Sequence, residues 1–156
     1  MKALFVCTGN TCRSVMAEFL FKREAGRRSL EGWEARSAGL AAERYFVIPQ
    51  AVRTALAQHG VQDVEHIPQL VTREQLRWAD AVLPMTRAHR DALWDQFPEH
   101  RHKTRLFLEA AGLGERDVDD PIGRPDDVYF RCRDILAEGV RALIQNHAPS
   151  TADPRS

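Results

Sequence analysis

A chain of 156 residues is the length of one domain and can bury a full hydrophobic core. Its 22 basic and 22 acidic side chains cancel, which argues against a nucleic-acid footprint and against an acidic tail. Met1 and Lys2 lead straight into a short apolar segment, with no signal-peptide pattern and no run long enough to span a membrane, so a cytoplasmic protein is expected; three cysteines without a Cys-x-x-Cys pair argue against a disulfide framework and a zinc site.

Leu4, Phe5 and Val6 read as a buried strand that empties into a loop, Cys7 to Ser14, and the loop opens a helix. Five residues separate Cys7 from Arg13, enough for the backbone N–H groups of Thr8, Gly9, Asn10, Thr11 and Cys12 to curl around one tetrahedral oxyanion. Unpaired amides and the positive end of the helix dipole both favour an anion there. Gly9 permits close approach or a positive φ, and Asn10 is the residue type that next best tolerates the left-handed region. Arg13 adds a planar fork able to hold two phosphoryl oxygens. Cysteines at helix N-termini beside cationic groups ionise readily, so Cys7 is expected to react as a thiolate. Ser14 can either cap the helix or donate its hydroxyl to the Cys7 sulfur. Cys12, in the same loop, is either a partner for Cys7 in a reversible disulfide or a small buried packing residue.

Beyond the loop, Val15, Met16, Phe19 and Leu20 recur at helical spacing to about Gly26, with Lys22, Arg23, Arg27 and Arg28 forming a solvated face near the end. Trp33 to Ser37 reads as a second strand, and Pro49 starts a helix through Ala51, Val52, Ala55 and Leu56 that Gly60 terminates. Thr72 with Gln75 makes a capping box for a short helix through Leu76 and Trp78. Asp80 to Pro84 is a third strand, Thr86 caps a helix containing His89, Leu93 and Trp94, and Leu106, Phe107 and Leu108 read as a fourth strand. A loop over Asp119, Asp120, Pro121, Ile122 and Gly123 precedes a last helix capped by Asp126, whose stripe is Val128, Cys132, Ile135, Leu136, Val140 and Leu143. Strand and helix alternate, so the expected fold is α/β: one three-layer domain, residues 1–147, with a parallel sheet covered by helices on both faces and a disordered tail over 148–156.

The run Cys7, Thr8, Gly9, Asn10, Thr11, Cys12, Arg13, Ser14 resembles the signature of the low-molecular-weight protein tyrosine phosphatases, Cys-x-Gly-Asn-x-Cys-Arg-Ser. Ser37, Ala38 and Gly39 match that family's Ser-Ala-Gly turn. The resemblance implies a sheet of four strands in the order 2-1-3-4, a phosphocysteine intermediate on Cys7, no cofactor, and a loop that accepts phosphorylated protein substrates, inorganic phosphate or other oxyanions. It also implies a histidine, here His66, that supports the loop through Asn10. Nothing between Cys7 and Ser14 can protonate a leaving group, and a carboxylic acid from elsewhere must do so. The family places an aspartate before a proline in a late loop, which points to Asp120 before Pro121, with Asp119 as the competing carboxylate.

Within the family the residue between Asn10 and Cys12 lies at the pocket floor. Isoleucine is usual in tyrosine-directed members, and Thr11 is similar to the protein arginine phosphatase branch. A hydroxyl suits a guanidinium better than a phenyl ring. Ile122 and Gly123 stand where tyrosine phosphatases carry ring-sandwiching aromatics, so Thr11 and Ile122 are the candidate specificity residues, and Tyr45 or Phe46 the candidates to complete the wall. Ala79, Asp80, Met85, Thr86 and His89, with Asp127, Tyr129, Arg133 and Asp134, extend the likeness to that branch. Val15 in place of the usual proline and the unfamiliar stretch Ala42 to Ile48 depart from it. Phosphoarginine is therefore the expected substrate class and phosphotyrosine the alternative. A related arsenate-reducing branch uses two further cysteines near the third strand; between Asp80 and Phe97 there is none. An inactive phosphate-binding module does not need Cys7, Arg13 and Asp120 together.

Overall fold

Strand β1 (Lys2–Cys7) lies at the centre of a parallel sheet in the computed structural model, which describes residues 1–149. It pairs on one side with β2 (Glu34–Gly39) and on the other with β3 (Ala81–Pro84), in the order 2-1-3. The run from Ala3 to Cys7 is buried throughout, as a central parallel strand covered on both faces requires. Side chains alternate between the two faces. Ala3, Phe5 and Cys7 enter a large core with helices α1 (Arg13–Arg27), α2 (Gln50–Ala57) and α6 (Asp126–His147). Leu4 and Val6 enter a smaller one with α3 (Arg73–Trp78) and α4 (Arg87–Gln96). The three-layer α/β architecture expected from the alternation of elements is present.

The fourth strand is not. Thr104 makes a single parallel bridge to Val82, and the chain then turns into a short helix, α5 (Phe107–Ala110). Three consecutive apolar residues carry no periodicity that separates strand from helix. Tertiary packing decides: all of Leu106, Phe107 and Leu108 are buried, and the Phe107 ring meets Phe5 edge-on at 5.4 Å. Phe107 and Leu108, adjacent in sequence, both enter the large core, whereas a strand would send adjacent side chains to opposite faces.

Other boundaries differ by a residue or two. Pro125, not Asp126, is the N-cap of α6, and Asp126 and Asp127 occupy its first turn, where carboxylates favour the dipole without capping it. The Thr72–Gln75 capping box and the Thr86 cap are formed as expected. The tail expected over 148–156 falls, from residue 150 onward, outside the described residues. Among the described residues no helix is long and apolar enough to cross a membrane.

The end of β2 and the loop that leaves β1 meet at Gly39. A Cβ there would come within 2.5 Å of the Thr8 carbonyl oxygen and 3.0 Å of the Asn10 nitrogen, so the end of β2 presses directly on the loop that leaves β1.

Candidate active site

The loop Thr8 to Cys12 joins β1 to α1 at the carboxyl end of the central strand, where open α/β sheets bind ligands. The positive φ belongs to Asn10, at 57°, and not to Gly9. A Cβ on Gly9 would instead stand 3.8 Å from the Phe46 ring and from Thr11 Oγ1, so this glycine keeps the pocket wide. α1 begins without a side-chain cap, and among the described residues the backbone N–H groups of residues 9–12 donate to no other backbone group. Such a set of free amides around a left-handed residue has the geometry that suits an anion at a helix N-terminus.

A buried polar network holds this loop, and its hydrogen-bond directions can be assigned. Asn10 Oδ1 accepts from the Gln69 backbone N–H at 3.0 Å, which fixes Nδ2 as the end that donates to Ser14 Oγ at 2.8 Å and to Ser37 Oγ at 3.0 Å. His66 Nε2 lies 3.0 Å from both the main-chain oxygen and Oδ1 of Asn10, two acceptors, so Nε2 carries the hydrogen. Ser37 in turn donates to Glu18, which is ion-paired with Lys22. Since Ser14 already accepts from Asn10, its own hydrogen is free for Cys7 Sγ, 2.9 Å away. Of the two roles open to Ser14, the structure takes the second: it serves the sulfur and leaves the helix uncapped.

One pocket of about 350 Å³ is lined by Cys7, Thr8, Gly9, Thr11, Cys12, Arg13, Phe46, Val47, Asp120 and Ile122. Every residue expected at the site lines it except Asn10 and Ser14, which act from beneath. Arg13 is buried; one guanidinium nitrogen donates to the Val118 carbonyl at 2.9 Å and the other lies 3.4 Å from Asp120 Oδ2. Asp120 is 43 % exposed, and its Oδ1 accepts the Ile122 backbone N–H at 3.1 Å, a turn that aims the carboxylate across the pocket mouth. Asp119 does not line the pocket. Thr11 is 7 % exposed and Ile122 55 %, so the first is a buried lining group and the second a rim. Phe46 and Val47 supply the opposite wall; Tyr45 lines no part of it and stacks edge-on against Phe46 at 5.1 Å. Burial pushes the Cys12 thiol up to about 11 and the Cys132 thiol, in the core on α6, up to about 12. Both of these thiols are held protonated at neutral pH. Among the described residues no group of three His, Cys, Asp or Glu side chains gathers as a metal site.

His89 was not foreseen as a site residue. Thr86 caps α4 and thereby places His89 in its first turn, with Nε2 2.8 Å from Thr8 Oγ1. The Thr-x-x-His spacing was the signal, but which face of the helix meets the loop is decided by the sheet. Burial, with the Arg13 charge adding to it, drives the imidazole down to about 4 against the opposing pull of Asp120 and Asp117. The unfolded ring binds its proton near 6.5, so between that pH and about 4 the unfolded state holds more protons than the folded one, and stability falls as pH falls. The full effect is of order 3 kcal/mol. Chemical denaturation of wild type and His89→Gln at pH 7 and pH 4.5 is expected to show a smaller acid loss in the variant; equal losses would place the acid sensitivity elsewhere.

Comparison with known proteins meets this geometry. The family model described as low molecular weight phosphotyrosine protein phosphatase matches residues 2–150. A protein-arginine-phosphatase of Bacillus subtilis (strain 168) is 40 % identical over 146 residues, 93 % of this chain and 95 % of that one. A solved cysteine-to-serine mutant of the YwlE arginine phosphatase, with a phosphorylated active-site serine, superposes with a TM-score of 0.91 at 36 % identity, covering 97 % of this chain and 98 % of that one. A low molecular weight protein tyrosine phosphatase from T. tengcongensis gives a TM-score of 0.88 at 37 % identity, over 94 % of this chain and 99 % of that one. Relatives named for either substrate thus superpose on this chain with similar TM-scores. The match runs nearly end to end, and the chain belongs to the low molecular weight phosphotyrosine protein phosphatase family.

Proposed function

We propose that the chain is a protein phosphatase that works through a phosphocysteine on Cys7 and acts on phosphoarginine. The observation that carries the reading is the convergence of Cys7, Arg13 and Asp120 on one pocket, with the Ser14 hydroxyl aimed at the sulfur. The Cys7 thiolate attacks phosphorus, forming the S–P bond as the P–N bond to the guanidino group breaks. Arg13 and the loop amides hold the three equatorial oxygens, where charge is spread in the transition state. Asp120 gives its proton to the departing nitrogen. It then takes a proton from the water that cleaves the S–P bond, and inorganic phosphate leaves with Cys7 restored as thiolate. No metal or cofactor enters these steps. Cys12, within the same loop, is the candidate partner for a protective disulfide with Cys7, and a reduced nucleophile suits the cytoplasmic location expected for the chain.

Thr11 supports phosphoarginine: it brings a hydroxyl to the buried lining of the pocket, where a guanidinium gains a polar neighbour and a phenyl ring does not. Phe46 favours the second reading, phosphotyrosine, since its ring offers an apolar wall that a phenol can stack on. Thr11→Ile separates them. The added apolar bulk should crowd the guanidinium and pack against a phenyl ring, and changes of this size in a pocket are worth about 10-fold to 200-fold in discrimination. The expected outcome is a lower kcat/KM for phosphoarginine and a higher one for phosphotyrosine. A wild type that already prefers phosphotyrosine, or a ratio that Thr11→Ile leaves unmoved, makes this a tyrosine phosphatase.

A further inference from the structure

His89 is 7 % exposed, and among the described residues its Nδ1 has no hydrogen-bond partner while Nε2 reaches Thr8 Oγ1 at 2.8 Å. A ring needed for packing alone would not bury an unpaired nitrogen, since desolvating a polar atom without a partner is unfavourable. Its one polar contact is with the residue that follows the nucleophile. Thr8 is exposed to the pocket and lines it beside Cys7.

Two neutral tautomers are possible, and they give the pocket opposite groups. With the hydrogen on Nδ1, Nε2 would accept the Thr8 hydroxyl hydrogen, and Thr8 would turn its lone pairs toward the pocket, against an anion. A buried N–H would also be left without an acceptor. With the hydrogen on Nε2, the ring donates to Thr8 Oγ1, the unpaired atom is an acceptor, and the threonine hydrogen is released to point into the pocket. Orphaned buried donors are rarer than under-satisfied acceptors, and a hydrogen bond to an anion is about twice as strong as one between neutral groups. Both considerations select the second tautomer.

We propose that His89 is a positioning residue for phosphate binding: its Nε2–H donates to Thr8 Oγ1 and so turns the Thr8 hydroxyl into a donor aimed at a phosphoryl oxygen. This rests on the reading of the pocket as a phosphate site and adds to the loop amides and Arg13 a side-chain donor set from a different element, α4. His89 itself touches no substrate and acts through the threonine.

The test is the Kd of inorganic phosphate, measured by calorimetry at pH 7 for wild type, Thr8→Val, His89→Phe, His89→Gln, His89→Asn and the double variant Thr8→Val/His89→Phe, each checked for folding by its melting temperature. Thr8→Val and His89→Phe should each weaken phosphate about 10-fold, the order of one hydrogen bond to a charged group, and the double variant should be no weaker than either single one. His89→Gln, whose amide N–H reaches the Nε2 position, should bind within about threefold of wild type, whereas the shorter His89→Asn should bind as poorly as His89→Phe. These two polar variants decide the matter if the phenylalanine ring disturbs folding. Additive losses approaching about 100-fold in the double variant, wild-type binding by His89→Phe or His89→Asn, or a glutamine variant as weak as the phenylalanine one, would each overturn the inference. Hydrolysis is assayed separately. A wild type that binds phosphate with this pattern yet prefers phosphotyrosine overturns the substrate reading and leaves the role of His89 standing; a wild type that binds no phosphate overturns both.

Discussion

Cys7→Ser is expected to abolish turnover, with a loss on the order of 10⁴-fold to 10⁶-fold, the scale seen when a covalent hydrolase loses its nucleophile. The substitution replaces a polarisable thiol by a hydroxyl that Asn10, Ser14 and the loop amides cannot ionise at neutral pH, whereas everything that binds phosphate stays in place. Binding and chemistry should therefore separate: inorganic phosphate affinity close to wild type, kcat near the background. A slow first step can still occur, because the hydroxyl lies in the same field, and the oxygen ester it forms has no easy route to hydrolysis. Intact-mass measurement of Cys7→Ser after incubation with phosphoarginine substrate should find one added phosphoryl group. Retained turnover in Cys7→Ser would remove the phosphocysteine pathway altogether.

The shape of the loop after β1 was legible because it is local. Cys7 through Ser14 are contiguous, and a strand, a turn and a helix start follow from their order, so the run of free amides needed no long-range information. Caps behaved the same way: Thr72 with Gln75 and Thr86 with the His89 amide are contacts three residues apart. What failed was long-range. Leu106 to Leu108 could be strand or helix until the Phe5 ring on β1 gave Phe107 an edge to pack on. The positive φ was open between Gly9 and Asn10, and Asn10 takes it because four neighbours reward that asparagine: Ser14, Ser37, His66 and Gln69 all meet its side chain, and three of them lie at least 27 positions along the chain. His89 was invisible as a site residue for the same reason, since 81 positions separate it from Thr8. Of the two candidates for the pocket wall, Phe46 lines it and Tyr45 does not, and Val47 joins it from the same stretch, whose lack of a regular pattern gave no means of choosing among them.

Asp120→Asn should lower kcat for phosphoarginine by about 10² to 10⁴, the usual worth of a general acid. Asparagine keeps the shape and the acceptor for the Ile122 N–H, so the loop should hold its place, and what disappears is the proton. The dependence on leaving group is the sharper part of the expectation. A guanidino nitrogen departs as a strong base and needs protonation as the P–N bond breaks; a nitrophenolate leaves without help. The loss in kcat/KM, which reports formation of the phosphocysteine, should therefore be large for phosphoarginine and small for an aryl phosphate with an acidic phenol, whereas kcat should fall for both, because the shared phosphocysteine loses the base for its hydrolysis and with the aryl substrate an initial burst of phenol appears. Binding should move the other way. Arg13 has a carboxylate oxygen 3.4 Å from its guanidinium, a negative charge that opposes the approach of phosphate, and the neutral amide removes it. KM should then stay level or fall while kcat drops, the pattern of an interaction used in the transition state and not in the ground state. Asp119→Asn is the control on the adjacent carboxylate, which lies outside the pocket lining. If Asp119→Asn were the slower enzyme and Asp120→Asn nearly normal, the proton would come from the other aspartate, and the Arg13–Asp120 pair would be a clamp on the loop rather than the link between phosphate binding and leaving-group departure.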